Sequence, residues 1–458
     1  MHGSTLEARR RSSAPPADRW ALAPRVGLVV LAALLAAPGT ALADGAGIDG
    51  GDTAWILVST ALVLFMTIPG LALFYGGLVA TKNVLSVLMQ CLALTAAVTI
   101  VWLAFGYSLA FDASGMVEGE TNLHSFVGGL SRCFLAGVDG STAWGSIPEV
   151  LFFSFQMTFA IITPALIVGA FAERMKFSAM LLFSLVWLVV VYIPICHMTW
   201  GGAGGFFADR GVFDFAGGIV VHITAGIGAL VACIVIGPRS GYGTTPMFPH
   251  NLTMTITGTA MLWVGWFGFN GGSALAANGD AAMAITVTHI SASTAALTWM
   301  GIEWVINKKP SALGLATGAI AGLAAVTPAS GFIGPVGGLL IGLASGALCF
   351  LASTSMKRRL GYDDSLDVFG VHGVGGFVGT VLAGVFAAGY FGGNQGDLDI
   401  ASQVGTQLTA AVVTVVYTAA ATWVILKAVD VLVGLRVEVE AERHGLDISL
   451  HDESGYRL

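Results

Sequence analysis

Long apolar stretches separated by short polar segments make up nearly all of the chain after residue 50. A helix needs about 20 consecutive apolar residues to cross the hydrocarbon core of a bilayer. Charged residues make up 10% of the chain, against about 25% in soluble domains, so they cannot cover a water-facing surface. We predict an all-α membrane protein with eleven transmembrane helices, at residues 53–75, 84–111, 147–171, 178–199, 214–237, 251–273, 281–305, 313–330, 333–356, 368–390 and 403–435.

Residues 1–43 have the features of a secretory signal peptide. Five arginines precede the apolar run Val26–Ala36, and Ala41, Leu42 and Ala43 form a small-residue cleavage site. The alternative is an uncleaved first span, but the run is shorter than the ~20 residues a span requires. We therefore predict cleavage after Ala43 and a periplasmic N-terminus in the bacterial inner membrane.

The distribution of basic residues predicts the orientation. With the N-terminus outside, the outer loops hold Arg132 and Arg210, and the inner loops hold nine basic residues, which is a strong positive-inside signal. We expect residues 44–435 to form the transmembrane domain and residues 436–458 a cytoplasmic regulatory tail. The nine inner residues are Lys82, Arg174, Lys176, Arg239, Lys308, Lys309, Lys357, Arg358 and Arg359.

Three short matches in the same order indicate an internal repeat. Five spans per half place the two halves in opposite orientations, which is a feature of transporters that bind their substrate at the repeat interface. We predict an inverted five-plus-five repeat followed by a long eleventh helix. The matched pairs are Phe74–Gly77 with Phe269–Gly272, Thr163-Pro164 with Thr327-Pro328, and Asp214–Gly218 before His222 with Asp367–Gly370 before His372.

Two histidines lie at corresponding positions of this repeat. His222 is about 12 Å deeper than Asp214, and His372 is about 7.5 Å deeper than Asp367, at 1.5 Å per helical residue. The two rings can therefore meet near the middle of the membrane. Ionisable residues inside a bilayer are usually functional, although a hydrogen-bonded structural histidine is the alternative. We interpret His289, which has no counterpart, as structural.

The carboxylates at the start of these spans permit more than one interpretation. Asp214 can cap its helix or hold negative potential near an outer cation site, because acids suit helix N-termini. We interpret Asp367 as a cap. His197, at the outer end of span four, is expected to lie at the membrane interface.

Aromatic residues gather at the outer ends of several spans. Desolvated cations bind aromatic faces with about 2 kcal/mol or more, and a nearby hydroxyl can accept a hydrogen bond. The outer loops are also rich in acids, which favours cations outside. The residues that we expect around an outer vestibule are Phe155, Phe159, Trp200, Trp266, Phe269 and Ser273.

At these residues the chain resembles the ammonium transporter (Amt/Mep/Rh) family, specifically its bacterial branch. The resemblance implies a homotrimer with one pore per subunit, transport of ammonium or ammonia rather than enzymatic catalysis, no cofactor or metal, and a cytoplasmic P-II signalling protein as partner. Nothing in the charge pattern indicates nucleic acid. The similar stretches are Ala61–Gly70, Phe74–Gly77, Ala170–Arg174, Asp214–Gly218 with His222, Gly265–Asn270 and Asp367–Gly373.

The resemblance also implies roles for individual residues. Asp214, Trp266 and Thr327 are expected to support the pore, and we include Phe155, one turn before Phe159, in the gate. Ammonium is expected to lose its proton before it passes the histidines. The family's roles fall on His222 and His372 as the pore pair, on Phe159, Trp200 and Ser273 as the outer ammonium site, and on Phe159 and Phe269 as the gate.

Three other classes of protein remain as alternatives. An ammonium sensor would signal through a longer tail with a catalytic domain. A membrane redox enzyme would use His222 and His372 as haem ligands. A gas channel of the Rh type would pass carbon dioxide or ammonia.

Overall fold

The computed structural model describes residues 47–456, and the predicted signal peptide lies outside the described residues. The fold is almost entirely helical, with one short hairpin of two strands, Ala143–Trp144 (β1) and Ile147–Pro148 (β2). The long helices are α1 (Gly50–Leu78), α2 (Thr81–Phe111), α3 (Glu149–Phe171), α4 (Phe177–Trp200), α5 (Gly218–Ile236), α6 (Leu252–Gly272), α7 (Gly279–Asn307), α8 (Ala312–Val326), α9 (Pro335–Leu360), α10 (Phe369–Phe386) and α11 (Ile400–Val433). Two short helices follow, α12 (Val439–His444) and α13 (Leu446–His451).

Ten of the long helices are long and apolar enough to cross a membrane by length and composition. The eleventh, α8, has 15 residues and ends at Val326, four residues before the predicted end of that span. Pro328 has no N–H group with which to continue the helix, and turns occupy residues 327–332. The uncharged segment 311–356 therefore forms two helices, as predicted, but the first is shorter than expected.

Helices α5 and α10 cross at two glycines. A Cβ atom added to Gly226 would lie 2.2 Å from the Cα of Gly373, so the two backbones touch at this point. Small residues allow this close approach between membrane helices. His222 lies four residues before Gly226, and His372 lies one residue before Gly373. The crossing therefore brings the two histidines onto facing turns of α5 and α10.

Both histidines lie in π-helical segments. His222 belongs to Gly218–Ile223 and His372 to Phe369–Gly373, which open α5 and α10. A second pair of π segments, Leu188–Tyr192 in α4 and Ala352–Met356 in α9, occupies the preceding helices of the two halves. π segments are rare and occur mostly at functional sites. These four segments lie on corresponding helices of the two halves, whereas the π segments Met66–Leu71 in α1 and Trp102–Gly106 in α2 have no counterpart in α6 or α7.

The loop between α2 and α3 folds over the ends of neighbouring helices. It covers His197, which is fully buried in the last turn of α4. The Nδ1 atom of His197 lies 2.8 Å from the carbonyl oxygen of Ala110, and its Nε2 atom lies 2.7 Å from that of His124. The sequence did not predict this burial, because a span treated alone does not show that a distant loop covers its end.

At the predicted cytoplasmic face, Arg239 forms the centre of a buried ion-pair cluster. Its guanidinium donates two hydrogen bonds to the carboxylate of Asp363, at 2.8 and 2.9 Å, and one to Glu173 at 2.6 Å. Burial disfavours the charged form of both side chains. The hydrogen bonds and the attraction between Arg239 and Asp363 outweigh this effect, so the pKa of Asp363 falls below its usual value and the pKa of Arg239 rises. The cluster ties the loop after α5 to the loops after α3 and α9.

We expect Asp363→Asn to destabilise the protein at neutral pH, because removing one partner of a buried ion pair costs about 3–5 kcal/mol. Since the pKa of Asp363 is lower in the folded protein, its stabilisation is present above pH ~4 and is lost as the pH falls further. Thermal unfolding of the purified protein at several pH values should give a lower unfolding temperature for the variant than for wild type. This difference in unfolding temperature should become smaller below pH ~4. Asp397→Asn, which changes an exposed acid, is the control. A difference in unfolding temperature between wild type and Asp363→Asn that does not depend on pH would contradict the account.

The C-terminal segment docks onto the start of α2. The carboxylate of Asp447 accepts hydrogen bonds from the backbone N–H groups of Leu85 (3.1 Å) and Ser86 (2.8 Å). A negative side chain suits the first turn of a helix. Lys82 Nζ donates to the carbonyl oxygen of Glu442 at 3.0 Å. The segment is therefore packed onto the transmembrane helices.

Candidate functional site

A vestibule with a volume of about 170 Å³ opens between α3, α4 and α6. The rings of Phe159 and Trp200 meet edge to face with centroids 5.9 Å apart. The indole of Trp200 donates to the carbonyl oxygen of Asp214 at 2.8 Å, which fixes its ring. Ser273 donates to the carbonyl oxygen of Phe269 at 2.8 Å, so its hydroxyl lone pairs remain free to accept. The three predicted residues of the outer site therefore line one cavity.

Gln156 lines the same vestibule and was missed by the sequence reasoning. It is 8% exposed, and its Oε1 atom has no hydrogen-bond partner among the described residues. A buried amide oxygen without a partner is costly, so a ligand that donates hydrogen bonds would be favoured beside it. The sequence did contain a signal for Gln156, which is a polar amide within the apolar run of α3. Polar residues inside membrane spans are usually functional.

Two phenylalanine rings close the inner end of the vestibule. Phe159 and Phe269 lie with centroids 4.3 Å apart, and both are fully buried. Phe155 contacts Phe159 at 5.0 Å and packs beside Gly272, but it lines neither the vestibule nor the cavity beyond. The membership of Phe155 in the gate stays a prediction.

Beyond these rings, the predicted histidine pair lies in a narrow cavity with a volume of about 10 Å³. The Nδ1 atoms of His222 and His372 are 3.2 Å apart, and the rings are nearly parallel, with an interplanar angle of 19°. One Nδ1 must therefore donate and the other accept. The Nε2 atom of His222 has no partner among the described residues. The cavity has room for about one water-sized molecule.

The haem alternative does not fit this geometry. Two nitrogen ligands on opposite sides of a metal ion need ~4 Å between them, because each metal–nitrogen bond is ~2 Å long. The 3.2 Å contact between His222 and His372 leaves no space for an iron and its porphyrin plane.

Trp266 and Thr327 hold the first histidine in position. The indole of Trp266 stacks on His222 with centroids 5.5 Å apart and donates to the Thr327 hydroxyl at 3.0 Å. Thr327 in turn donates to the carbonyl oxygen of Leu323 at 2.8 Å. This chain of contacts links α5, α6 and α8 around the narrow cavity.

Two buried aspartates, Asp214 and Asp364, cap the histidine helices. Asp214 accepts from four consecutive backbone N–H groups, those of residues 217–220, at 2.6–3.0 Å. Asp364 accepts from the N–H group of Phe369 at 2.8 Å. Each aspartate stands eight residues before its histidine. Asp364, not Asp367, is thus the counterpart of Asp214.

The predicted cap at Asp367 is wrong. Its backbone has a positive φ of 61°, and its carboxylate pairs with Lys357 Nζ at 2.8 Å instead. Both residues line an inner cavity of about 320 Å³ that reaches His372. His372 is shared with the narrow cavity, so vestibule, ring pair, histidine pair and inner cavity follow one another along a single path.

His289 lies away from this path. It is exposed on α7, with its ring 5.5 Å from that of Trp263 and 6.0 Å from that of Phe267. It lines none of the cavities described above.

Known proteins share both the sequence and the fold of this chain. A model of the Ammonium Transporter Family matches residues 54–456. The chain is 46% identical over 415 residues to the ammonium transporter of Bacillus subtilis, covering 89% of this chain and 98% of that protein. It is 45% identical over 420 residues to the ammonium transporter of Aquifex aeolicus, covering 91% and 96%.

The fold is similar to that of a solved relative. The crystal structure of Saccharomyces cerevisiae Mep2 matches with a TM-score of 0.78 at 34% identity, covering 86% of this chain and 89% of that chain. The family match spans the vestibule, the ring pair, the histidine pair and the inner cavity. The chain therefore belongs to the ammonium transporter family.

Proposed function

We propose that this ammonium transporter recruits ammonium in the vestibule, removes its proton at the ring pair and conducts ammonia past His222 and His372. The observation that carries the proposal is the order of the vestibule, the ring pair, the histidine pair and the inner cavity along one path. At its narrowest point the Nδ1 atoms of His222 and His372 lie within hydrogen-bonding distance of each other. The path has too little space at its centre for a hydrated ion.

Recruitment rests on cation–π attraction and hydrogen bonding. The rings of Phe159 and Trp200 offer their faces to a cation, an interaction worth about 2 kcal/mol when desolvated. Potassium is also attracted to these faces. Ammonium can in addition donate hydrogen bonds to the hydroxyl of Ser273 and to the unpartnered amide oxygen of Gln156. Hydrogen bonding therefore favours ammonium over potassium.

Deprotonation follows from the energetic cost of moving a charge. An unpaired charge in an apolar cavity is far more costly than a neutral polar molecule. Ammonia can fit the narrow cavity and hydrogen-bond to the histidine pair, because a neutral imidazole offers one donor and one acceptor nitrogen. The histidines then stabilise the neutral species or relay the separated proton. Potassium has no proton to lose and is excluded.

Trp200→Leu is expected to raise the half-saturating methylammonium concentration by tenfold or more, because it removes about 2 kcal/mol of cation–π attraction. Uptake of labelled methylammonium by cells without transporters of their own measures this change. Trp423→Leu, at a tryptophan that is 53% exposed on α11, is the control. An unchanged half-saturating concentration in Trp200→Leu would contradict the proposed vestibule site.

Trimeric assembly is a further part of the proposal. His289 and Thr286 are exposed on α7, with the half-buried Ser293 beside them, and an ionisable side chain such as His289 is costly when it faces lipid. Contact with other copies of the chain would cover this face. Light scattering of the detergent-solubilised protein should give three copies of the mature chain per particle, and a monomer would contradict this part.

The orientation, with the N-terminus periplasmic and the C-terminus cytoplasmic in the inner membrane, rests on the nine-to-two distribution of basic residues. It places the docked C-terminal segment beside the inner cavity, where a P-II protein would bind.

Cys133, in the loop between α2 and α3, is half-buried, whereas the other four cysteines are buried. A membrane-impermeant maleimide applied from the periplasm should label Cys133, and labelling from the cytoplasmic side alone would reverse the orientation.

A further inference from the structure

A second group of aromatic rings lines the vestibule at a distance from the ring pair. Trp144 belongs to the hairpin between α2 and α3, Phe111 is the last residue of α2, and Phe152 lies near the start of α3. Phe152 precedes Phe159 by seven residues, which corresponds to about 10 Å along a helix. These three residues, called the outer rings here, are therefore separate from the contact between Phe159 and Trp200.

The outer rings pack closely against one another. Trp144 stacks face to face on Phe152, with centroids 4.1 Å apart and an interplanar angle of 7°. Phe111 meets both rings edge to face, at 5.9 Å from Trp144 and 4.9 Å from Phe152. Phe111 and Phe152 are buried, whereas Trp144 is half-buried. The outer rings therefore form one aromatic wall, in which Trp144 keeps accessible surface.

Hydrogen bonds hold the hairpin of Trp144 in place. Its strand pairs with the strand that contains the buried Ile147, and the hydroxyl of Ser146 in the turn donates to the carboxylate of Asp52 at 2.5 Å. The other carboxylate oxygen of Asp52 accepts from the backbone N–H group of Ala277, in the loop after α6, at 2.7 Å. The ring of Trp144 is therefore positioned before a ligand arrives, which lowers the entropic cost of binding.

The outer rings attract a cation without offering it a hydrogen bond. Among the described residues that line the vestibule, only Gln156 and Ser273 carry a side-chain oxygen, and none is charged. Gln156 lies one helical turn deeper than Phe152, and Ser273 follows the last residue of α6. Attraction at the outer rings must therefore come from the aromatic faces and from the exclusion of water.

A quaternary ammonium ion has the chemistry that such a wall recognises. It has no N–H group and needs no acceptor, and its methyl groups pack on aromatic faces, as in the aromatic cages that bind such ions in other proteins. The vestibule, at about 170 Å³, has room for several water-sized molecules and therefore for tetramethylammonium. Ammonium, by contrast, gains hydrogen bonds only deeper in the vestibule.

We propose that Trp144, Phe111 and Phe152 form a separate site for quaternary ammonium ions, which occupy the vestibule and block the entry of ammonium. Such an ion has no proton to lose and is too large to pass between Phe159 and Phe269, whose ring centroids are 4.3 Å apart. It therefore binds and is not conducted. The block rests on the proposed function, because it requires the vestibule to be the entrance for the transported cation.

Binding of labelled tetramethylammonium to the purified protein, measured by scintillation proximity, tests the site without depending on transport. We expect Trp144→Leu to weaken binding about tenfold, because tryptophan is the strongest cation–π partner. The indole N–H group of Trp144 donates to no described residue, unlike those of Trp200 and Trp266, so this change removes a ring and no hydrogen bond. Trp144→Phe, which keeps a ring, should bind more tightly than Trp144→Leu. Trp423→Leu is the control and should bind as wild type does, and the neutral molecule tert-butanol, of similar size, should not compete.

Competition in cells without transporters of their own tests the block. Tetramethylammonium should raise the half-saturating concentration of labelled methylammonium without changing the maximal rate, and it should not accumulate inside. Equal binding by wild type and Trp144→Leu, or no binding by wild type, would overturn the site. Binding without competition would overturn the block. Intact binding of tetramethylammonium with no uptake of methylammonium by wild type would contradict the proposed function and the block, and would support the site.

Discussion

Replacing His222 or His372 by alanine is expected to abolish selective ammonium conduction. Each ring supplies a hydrogen-bonding nitrogen at the narrowest point of the path, where the two Nδ1 atoms are 3.2 Å apart. Losing a strong hydrogen bond at such a point costs ~3 kcal/mol, which slows passage by roughly 100-fold. Proteoliposomes loaded with a pH-sensitive dye and exposed to an ammonium gradient measure the flux directly.

The exposed histidine of the C-terminal segment provides the control for these variants. His444→Ala should conduct as wild type does, and the amount of reconstituted protein should be equal in all samples. Alanine leaves a wider cavity at the centre of the path, so a leak of potassium through either pore variant is compatible with the account. Full ammonium flux that still excludes potassium, in the double alanine variant, would contradict the role of the pair.

Gly226→Leu is expected to prevent stable folding of the transmembrane domain. Its Cβ would stand 2.2 Å from the Cα of Gly373, and backbone cannot move aside as a flexible side chain can. Overpacking of a core costs about 1–3 kcal/mol even where side chains yield, so this change should cost more. Thermal unfolding in detergent, followed by size-exclusion chromatography, measures the loss.

Gly301→Leu is the matched control, because a Cβ at that glycine of α7 meets no atom within 4 Å. It should unfold within a few degrees of wild type. Equal stability of Gly226→Leu and Gly301→Leu would show that α5 and α10 do not cross at their glycines. The facing positions of the two histidines depend on this crossing.

The sequence predicted the helical membrane fold and most of the site because both depend on local signals. Apolar runs of span length predict helices, and ionisable or polar residues within them indicate function. His222 and His372 were found in this way, whereas the roles of Phe159, Phe269 and Trp200 were implied by the family resemblance. The structure brings all five along one path.

The residues that the sequence did not predict depend on contacts between distant segments. Asp364 and Asp367 are both acids before the same span, and the choice of helix cap depends on the bend at Asp367 and on the position of Lys357. His197 is buried because a loop some 70 residues earlier covers it. The π segments around the histidines leave no pattern in hydropathy. Equal spacing of eight residues was a signal that would have identified Asp364.

Uptake of labelled methylammonium, by a strain that lacks transporters of its own and in the presence of excess potassium, tests the central claim most directly. The account predicts saturable uptake by the wild-type chain that potassium does not inhibit. For the variant with both pore histidines replaced by alanine, it predicts either no uptake above background or uptake that potassium inhibits. Equal, potassium-insensitive uptake by the two proteins would contradict it.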